Sequence, residues 1–270
     1  MSPRDVRRPE LPAPVGFQGL LAASFSIFRE LFRPLILCFL GLSAAAVALR
    51  IASRSAAGAM RSSDSLVVGL GTIGPIAFQV TLMSLGVAIA AVVVADHIAG
   101  NPVSLGAALR SSRPLWKELV AAALFAALIA LGVSVLLAFV TLFFISMFYG
   151  PTLAAHAVAL EAKPLQFALA RARELARGQW LRIIPFLFCI ALGLGLVSAY
   201  GQVPVALVVR GMPESVQIAA FLAGRIVLDT LTGAFFAVVS VILYFDLRAR
   251  AEDYGPAELK AERASSPTPD

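Results

Sequence analysis

The stretch LVAAALFAALIALGVSVLLAFVTLFFISMFYGPTLAAHAVAL, residues 119–160, carries no lysine, arginine, aspartate or glutamate over 42 residues. A helix rises about 1.5 Å per residue and a bilayer's hydrocarbon core is about 30 Å thick, so roughly 20 apolar residues cross it once. This run is twice that length and must fold back as two spans. Composition agrees. The 270 residues are 59% hydrophobic and 14% charged, with a mean hydropathy of +0.87, against about 25% charged residues in an ordinary soluble domain.

Working outward, further apolar runs fit spans at about 34–52, 75–95 (entered through Gly74-Pro75), 183–209 and 224–246. Six crossings result, and the expected fold is all-α, a polytopic integral membrane protein with both ends on one side. Orientation follows the Lys and Arg distribution. Seventeen of the 22 fall in the tails and in the loops around 101–118 and 161–182, while Arg50, Arg54, Arg61, Arg210 and Arg225 fall on the other side. This predicts that both termini are cytoplasmic. A cleaved leader is the competing reading of the first run, but 33 residues precede it, too many for an n-region. The net charge of +6 and pI near 9.9 need no nucleic acid, because basic loops beside a bilayer meet anionic headgroups.

An internal repeat organises the chain. PVGFQGLLAASFSIFREL (14–31) and PVSLGAALRSSRPLWKEL (102–119) align without a gap, and KPLQFALARARELARGQWLRIIPFLFC (163–189) is a weaker third copy. Pro34 to Cys38 and Pro185 to Cys189 repeat a proline, three apolar residues and a cysteine. The unit is an interfacial amphipathic helix followed by a transmembrane hairpin. The expected divisions are a cytoplasmic tail at 1–13, repeats at 14–101, 102–161 and 162–250, and a largely disordered cytoplasmic tail at 251–270.

The pre-span segments have helical periodicity. In the first, Phe17, Leu20, Leu21, Phe25, Phe28 and Phe32 form an apolar stripe opposed by Gln18, Arg29 and Glu30. In the third, Leu165, Ala168, Leu169, Ala172, Leu175 and Ala176 oppose Gln166, Arg173 and Arg177, flanked by Arg171 and Glu174. Trp116 and Trp180 end the second and third segments, where amphipathic rings favour headgroup level. Arg171, Arg173, Arg177, Arg182, Trp116 and Trp180 are therefore the expected contacts to anionic lipid headgroups.

The segments AVALEAKPLQFALARARELARGQWLRIIPFL (157–187) and LYFDLRAR (243–250) resemble bacterial six-span proteins related to the membrane domain attached to some glycerophosphoryl diester phosphodiesterases. The resemblance rests on Leu160-Glu161, Pro164-Leu165, Arg171 to Trp180, and Tyr244 to Arg248. It implies a six-span fold in a bacterial inner membrane and specifies helix ends rather than chemistry. Ala162-Lys163 stands where that family often has glycine, and no phosphodiesterase domain is attached, so hydrolase activity does not carry over.

Motifs that mimic sites have plainer readings. GLGTIG (69–74) matches a dinucleotide fingerprint, but leads through Pro75 into a span rather than following a strand. Cys38 and Cys189 read as small packed hydrophobes, and His97 and His156 are poorly placed to complete a zinc site with them. Both prolines ahead of the cysteines are expected in the first turn of their spans. Small residues such as Gly41 with Ala45 and Gly193 with Gly195 are expected at close helix contacts. Among polar groups inside spans, Gln79, Thr81, Ser84, His156, Arg225 and Asp229 are the transport-path candidates. Arg225 and Asp229, four apart, read first as an ion pair, and His156 as bonded to a carbonyl or hydroxyl. No cofactor or metal set is visible, and neither paired carboxylates nor HExxH or GxSxG motifs point to an enzyme. The expected function is a non-enzymatic scaffold or lipid-interacting module; the alternative is a transporter or channel component. The small-residue content fits either an internal bundle or a homo-oligomer, and a membrane protein partner is the other possibility.

Overall fold

The computed structural model describes residues 16–59, 65–122, 124–125, 153–252 and 254–265, which are all-helical with no strand. Its helices are α1 (Phe17–Glu30), α2 (Phe32–Ala59), α3 (Ser65–Ala99), α4 (Leu105–Ser112), α5 (Leu165–Ala176), α6 (Trp180–Tyr200), α7 (Val203–Val208), α8 (Glu214–Glu252) and α9 (Pro256–Ser265). Residues 116–122 and 153–161 are helical too. Four stretches, Phe32–Ser53, Thr81–Ala99, Leu181–Val208 and Glu214–Glu252, are long and apolar enough to cross a membrane. They match four of the six expected spans. The other two, expected within 119–160, lie largely outside the described residues.

The helix that contains the second stretch begins earlier than Gly74-Pro75 indicated. α3 runs helically from Ser65 through GLGTIG and Pro75, so the fingerprint has neither the strand nor the turn a nucleotide needs. From Gly86 to Ala95 almost every residue of α3 is buried, as are residues 237–248 of α8. A helix that is apolar all round belongs at a centre, and these two form it. α2 and α6 flank them and expose Leu37, Leu40, Ile51, Leu181, Phe188 and Leu192, an apolar surface of the kind that meets lipid or another protein rather than water.

Contacts fix register. Arg182 of α6 reaches Asp246 of α8 at one end of the bundle, and Ser198 reaches Arg225 at the other, so α6 and α8 are antiparallel. We call these the charged end and the far end. Phe39 of α2, fully buried, fills the crossing of α2, α3 and α8. A Cβ at Gly86 would lie 3.0 Å from its ring, and one at Gly233 2.8 Å. Gly86 and Gly233 are thus close approaches at this crossing, and Gly201 is another at the far end, where a Cβ would lie 2.7 Å from Leu228. Gly41, Gly193 and Gly195, expected at contacts, have nothing within 4 Å of a would-be Cβ.

Local chemistry explains the helix ends. Pro34 has no N–H to give the Glu30 carbonyl, and the chain leaves helical dihedrals at Leu31 (φ −95°, ψ 13°) between α1 and α2. Pro185 lies at the sixth position of α6, in the second turn rather than the first, where it leaves the Leu181 carbonyl without its intrahelical donor. Ala162, after the helical segment 153–161, has φ +51°, the left-handed region where an alanine costs about 1–2 kcal/mol. This is the position where the resembling family favours glycine. Ala162→Gly should therefore stabilise the chain by about 0.5–1 kcal/mol once glycine's extra chain entropy is subtracted, measurable as a raised unfolding midpoint in detergent.

The tail departs most from expectation. α9 is helical over residues expected to be disordered. Leu259 is buried, and Tyr254 stacks on Phe245 with centroids 6.5 Å apart and rings 6° from parallel. Two apolar side chains and an ion pair dock a segment that is polar by composition.

Candidate functional site

At the charged end, Glu161 terminates helix 153–161 with its side chain 6% exposed. It accepts a hydrogen bond from the Tyr244 hydroxyl, pairs with Lys163 Nζ at 2.7 Å and Arg171 Nε at 3.3 Å, and lies 3.7 Å from Arg248 Nε. Arg171 also pairs with Glu252. Arg248 is 3.3 Å from Glu252 and from Glu262, and its guanidinium lies 3.6 Å over the Tyr254 ring, whose hydroxyl bonds Glu262. Beside this network, fully buried Asp246 holds Arg182 at 3.2 Å and Arg250 at 3.1 Å. Burial pushes the Glu161 carboxyl up, but the Lys163 and Tyr244 hydrogen bonds and the Arg248 and Arg171 charges outweigh it and hold it below the ordinary range. Burial of Arg171 disfavours its charge, and the Glu161 carboxylate more than restores it. Burial, followed by the bond to Glu262, pushes the Tyr254 phenol up.

Four of the residues that carry the family resemblance, Glu161, Arg171, Tyr244 and Arg248, are thus neighbours in one cluster. Arg171 and Arg182, expected to reach lipid, spend their guanidiniums on carboxylates instead. Arg173 and Arg177 remain exposed, as does Trp116; the Trp180 side chain lies outside the described residues.

α5 buries Ala168, Ala172, Leu175 and Ala176, most of the face expected to lie in lipid. Glu118 accepts a hydrogen bond from Leu165 N at 2.9 Å, satisfying an orphan donor of the first turn with a charge of the favoured sign. α5 is therefore pinned to protein. Its outer side has an open groove of about 570 Å³ lined by Lys163, Pro164, Phe167, Arg171, Glu174 and Arg177. α1 behaves similarly. Leu20, Ser24 and Ile27 are buried, with Phe25 and Phe28 against Phe235 of α8. The buried face is rotated from the expected stripe, leaving Phe17, Phe25 and Phe32 exposed.

Gln79, Arg225 and Asp229, three of the transport-path candidates, gather in the far half. Phe39, Met83 and Gly233 meet at the crossing. One turn farther toward the far end on each helix lie Ser43, Gln79 and Asp229, because positions four apart share a helix face. Arg50 of α2 donates to Gln79 Oε1. Arg225 Nε bonds Asp229 at 3.0 Å and its Nη1 bonds Ser198 at 3.3 Å, so the expected i,i+4 pair forms. Ser43 Oγ is fully buried without a hydrogen-bond partner. Arg50 and Ser43 had no place among the sequence candidates.

His156 stands apart from this layer. It is fully buried, edge-on to Tyr244 at 5.7 Å between centroids, and neither ring nitrogen has a hydrogen-bond partner; the expected carbonyl or hydroxyl bond does not form. Cys38 and Cys189 are both free thiols, the second exposed rather than packed. Among the described residues no group of His, Cys, Asp and Glu could hold a metal ion. No family model, curated protein or solved structure matches the chain.

Proposed function

We propose that the chain is a non-enzymatic, multi-pass component of a bacterial inner membrane, with six spans in three repeats and cytoplasmic termini, that engages anionic lipid along the outer side of α5. One observation carries this reading: Arg177 stays exposed and lines the same groove as Phe167, which is 59% exposed, with Arg173 exposed one turn before it, on a helix whose other face is fixed by protein. Cations beside an apolar ring suit a phosphate above an acyl chain. Each basic side chain near an anionic surface contributes about 1 kcal/mol, so the pair supplies about 2 kcal/mol, roughly 30-fold in affinity.

Arg173→Gln with Arg177→Gln should lower phosphatidylglycerol retention about 30-fold relative to phosphatidylcholine, read by native mass spectrometry from mixed-lipid nanodiscs. Equal retention by wild type and the double variant would end the lipid reading. Because α5 is packed on protein, its own attachment should survive in both.

A second reading, passage of a small solute, is favoured by the far-half layer of Ser43, Gln79 and Asp229 with its two arginines. Ionisable groups among apolar helices are costly unless they serve a partner or a path.

A further inference from the structure

We infer that the far-half polar layer is a binding site for a small monovalent carboxylate, held by Arg50 with Gln79 and Ser43. The inference deepens the solute-passage reading and rests on it for its biological setting, though binding itself requires no flux.

Charge comes first. Among the described residues the layer contains two guanidiniums and one carboxylate. Arg225 is satisfied by Asp229 and Ser198. Arg50, half-buried, bonds through its side chain only to the neutral amide oxygen of Gln79, and among the described residues no carboxylate pairs with it. One positive charge is left over, and one monoanion would bring the layer to neutrality. A half-buried charge without a counter-charge keeps part of the cost of its lost solvation.

Donors come second. A guanidinium presents five N–H groups in a planar fork that matches a carboxylate bidentately, and Arg50 uses one nitrogen on Gln79. The Gln79 amide then turns its own N–H₂ away from Arg50. Ser43 offers a buried hydroxyl with no partner of its own. Helical side chains lean toward their own N-terminus. Arg50, seven residues after Ser43 and on the same face of α2, therefore leans back toward it, whereas Gln79 on antiparallel α3 leans the other way to meet Arg50. These positions bring the donors to one depth of the α2–α3 contact. Phe39, wedged against Gly86 and Gly233 one turn below, bounds that layer toward the charged end.

The test uses the full chain in phosphatidylcholine nanodiscs, titrated with sodium acetate against sodium chloride at constant ionic strength, with the unfolding midpoint as readout. Acetate should raise the midpoint saturably and chloride should not. Arg50→Gln should weaken the apparent acetate affinity at least tenfold, Arg50→Lys several-fold because the fork is lost, and Ser43→Ala about threefold. Should Arg50→Gln fail to fold, the other two variants carry the same comparison. An acetate response that is absent, or unchanged in the variants, overturns the site. So does an Arg50-dependent response to phosphatidylglycerol but not to acetate, which would make the occupant a lipid phosphodiester. Labelled acetate flux into proteoliposomes is measured separately: binding without flux keeps the site and removes the transport reading.

Discussion

Glu161→Ala should destabilise the folded chain by about 3 kcal/mol and make Arg171 and Arg248 accessible to solvent. Removing one member of a buried ionic cluster leaves the remaining charges desolvated and unpaired, and costs about 3–5 kcal/mol. The lower end applies because Glu252 still faces both Arg171 and Arg248, and Glu262 faces Arg248. Lys163, the most exposed partner at 42%, returns to water at little cost. Glu161→Gln keeps the size and can still accept the Tyr244 hydroxyl, so it should lose less than the alanine.

Acid should produce the same loss gradually. The folded carboxyl titrates below its ordinary value of 4.5. The stability it contributes is therefore complete above pH 4.5 and is lost as pH falls below that value through the lower folded one. Unfolding midpoints measured from pH 6 downward should decline in wild type, with a shallower decline below pH 4.5 in Glu161→Gln. Equal slopes would mean that other carboxylates carry the acid response.

Sequence made some of this legible and hid the rest for definable reasons. Spans at 34–52, 183–209 and 224–246 could be placed because an uninterrupted apolar run is a strong signal. The start of α3 was hidden because Gly74-Pro75 reads as a break, although the helix continues through it. Periodicity located α1 and α5, yet it reports which face is apolar and not whether lipid or protein covers it. In α1 the buried face includes Ser24, whose hydroxyl bonds the Leu20 carbonyl at 2.7 Å and so can be buried cheaply.

Arg182 reads as a surface cation because its partner Asp246 lies far along the chain, and Arg171 because Glu252 does and because Glu161 faces it only once the chain has turned between the two helices. A usable clue was present: acids and bases at Glu161, Arg171, Asp246 and Arg248 all border apolar spans, where unpaired charge is costly. α9 was hidden because its docking depends on a few side chains, Tyr254 on Phe245, Glu262 on Arg248, and buried Leu259, which a polar average conceals. Arg50 was counted only as a far-side charge. Nothing in its local sequence shows that it turns toward Gln79 rather than toward water.

Phe39→Ala should cost about 3 kcal/mol, and its dependence on Gly233 should be specific. Truncating a buried phenylalanine costs about 3–5 kcal/mol in water-soluble cores. Within a bilayer no water is displaced, so the cost is mainly the dispersion attraction forfeited around the cavity, and the lower figure applies. Gly233→Ala alone should cost about 1–3 kcal/mol, since the new methyl would lie 2.8 Å from Phe39 Cδ1 and 3.3 Å from the Met83 sulfur. In the Phe39→Ala background that methyl enters vacated space, so the second substitution should be nearly neutral. The double variant should therefore be at least about 1 kcal/mol more stable than the sum of the single losses predicts, a coupling expected only of groups that touch. Reversible unfolding of the four proteins in one detergent measures it. Strict additivity would separate Phe39 from Gly233, and with it the floor of the polar layer would be lost, since the placement of Ser43, Gln79 and Asp229 at one depth is reckoned from that crossing.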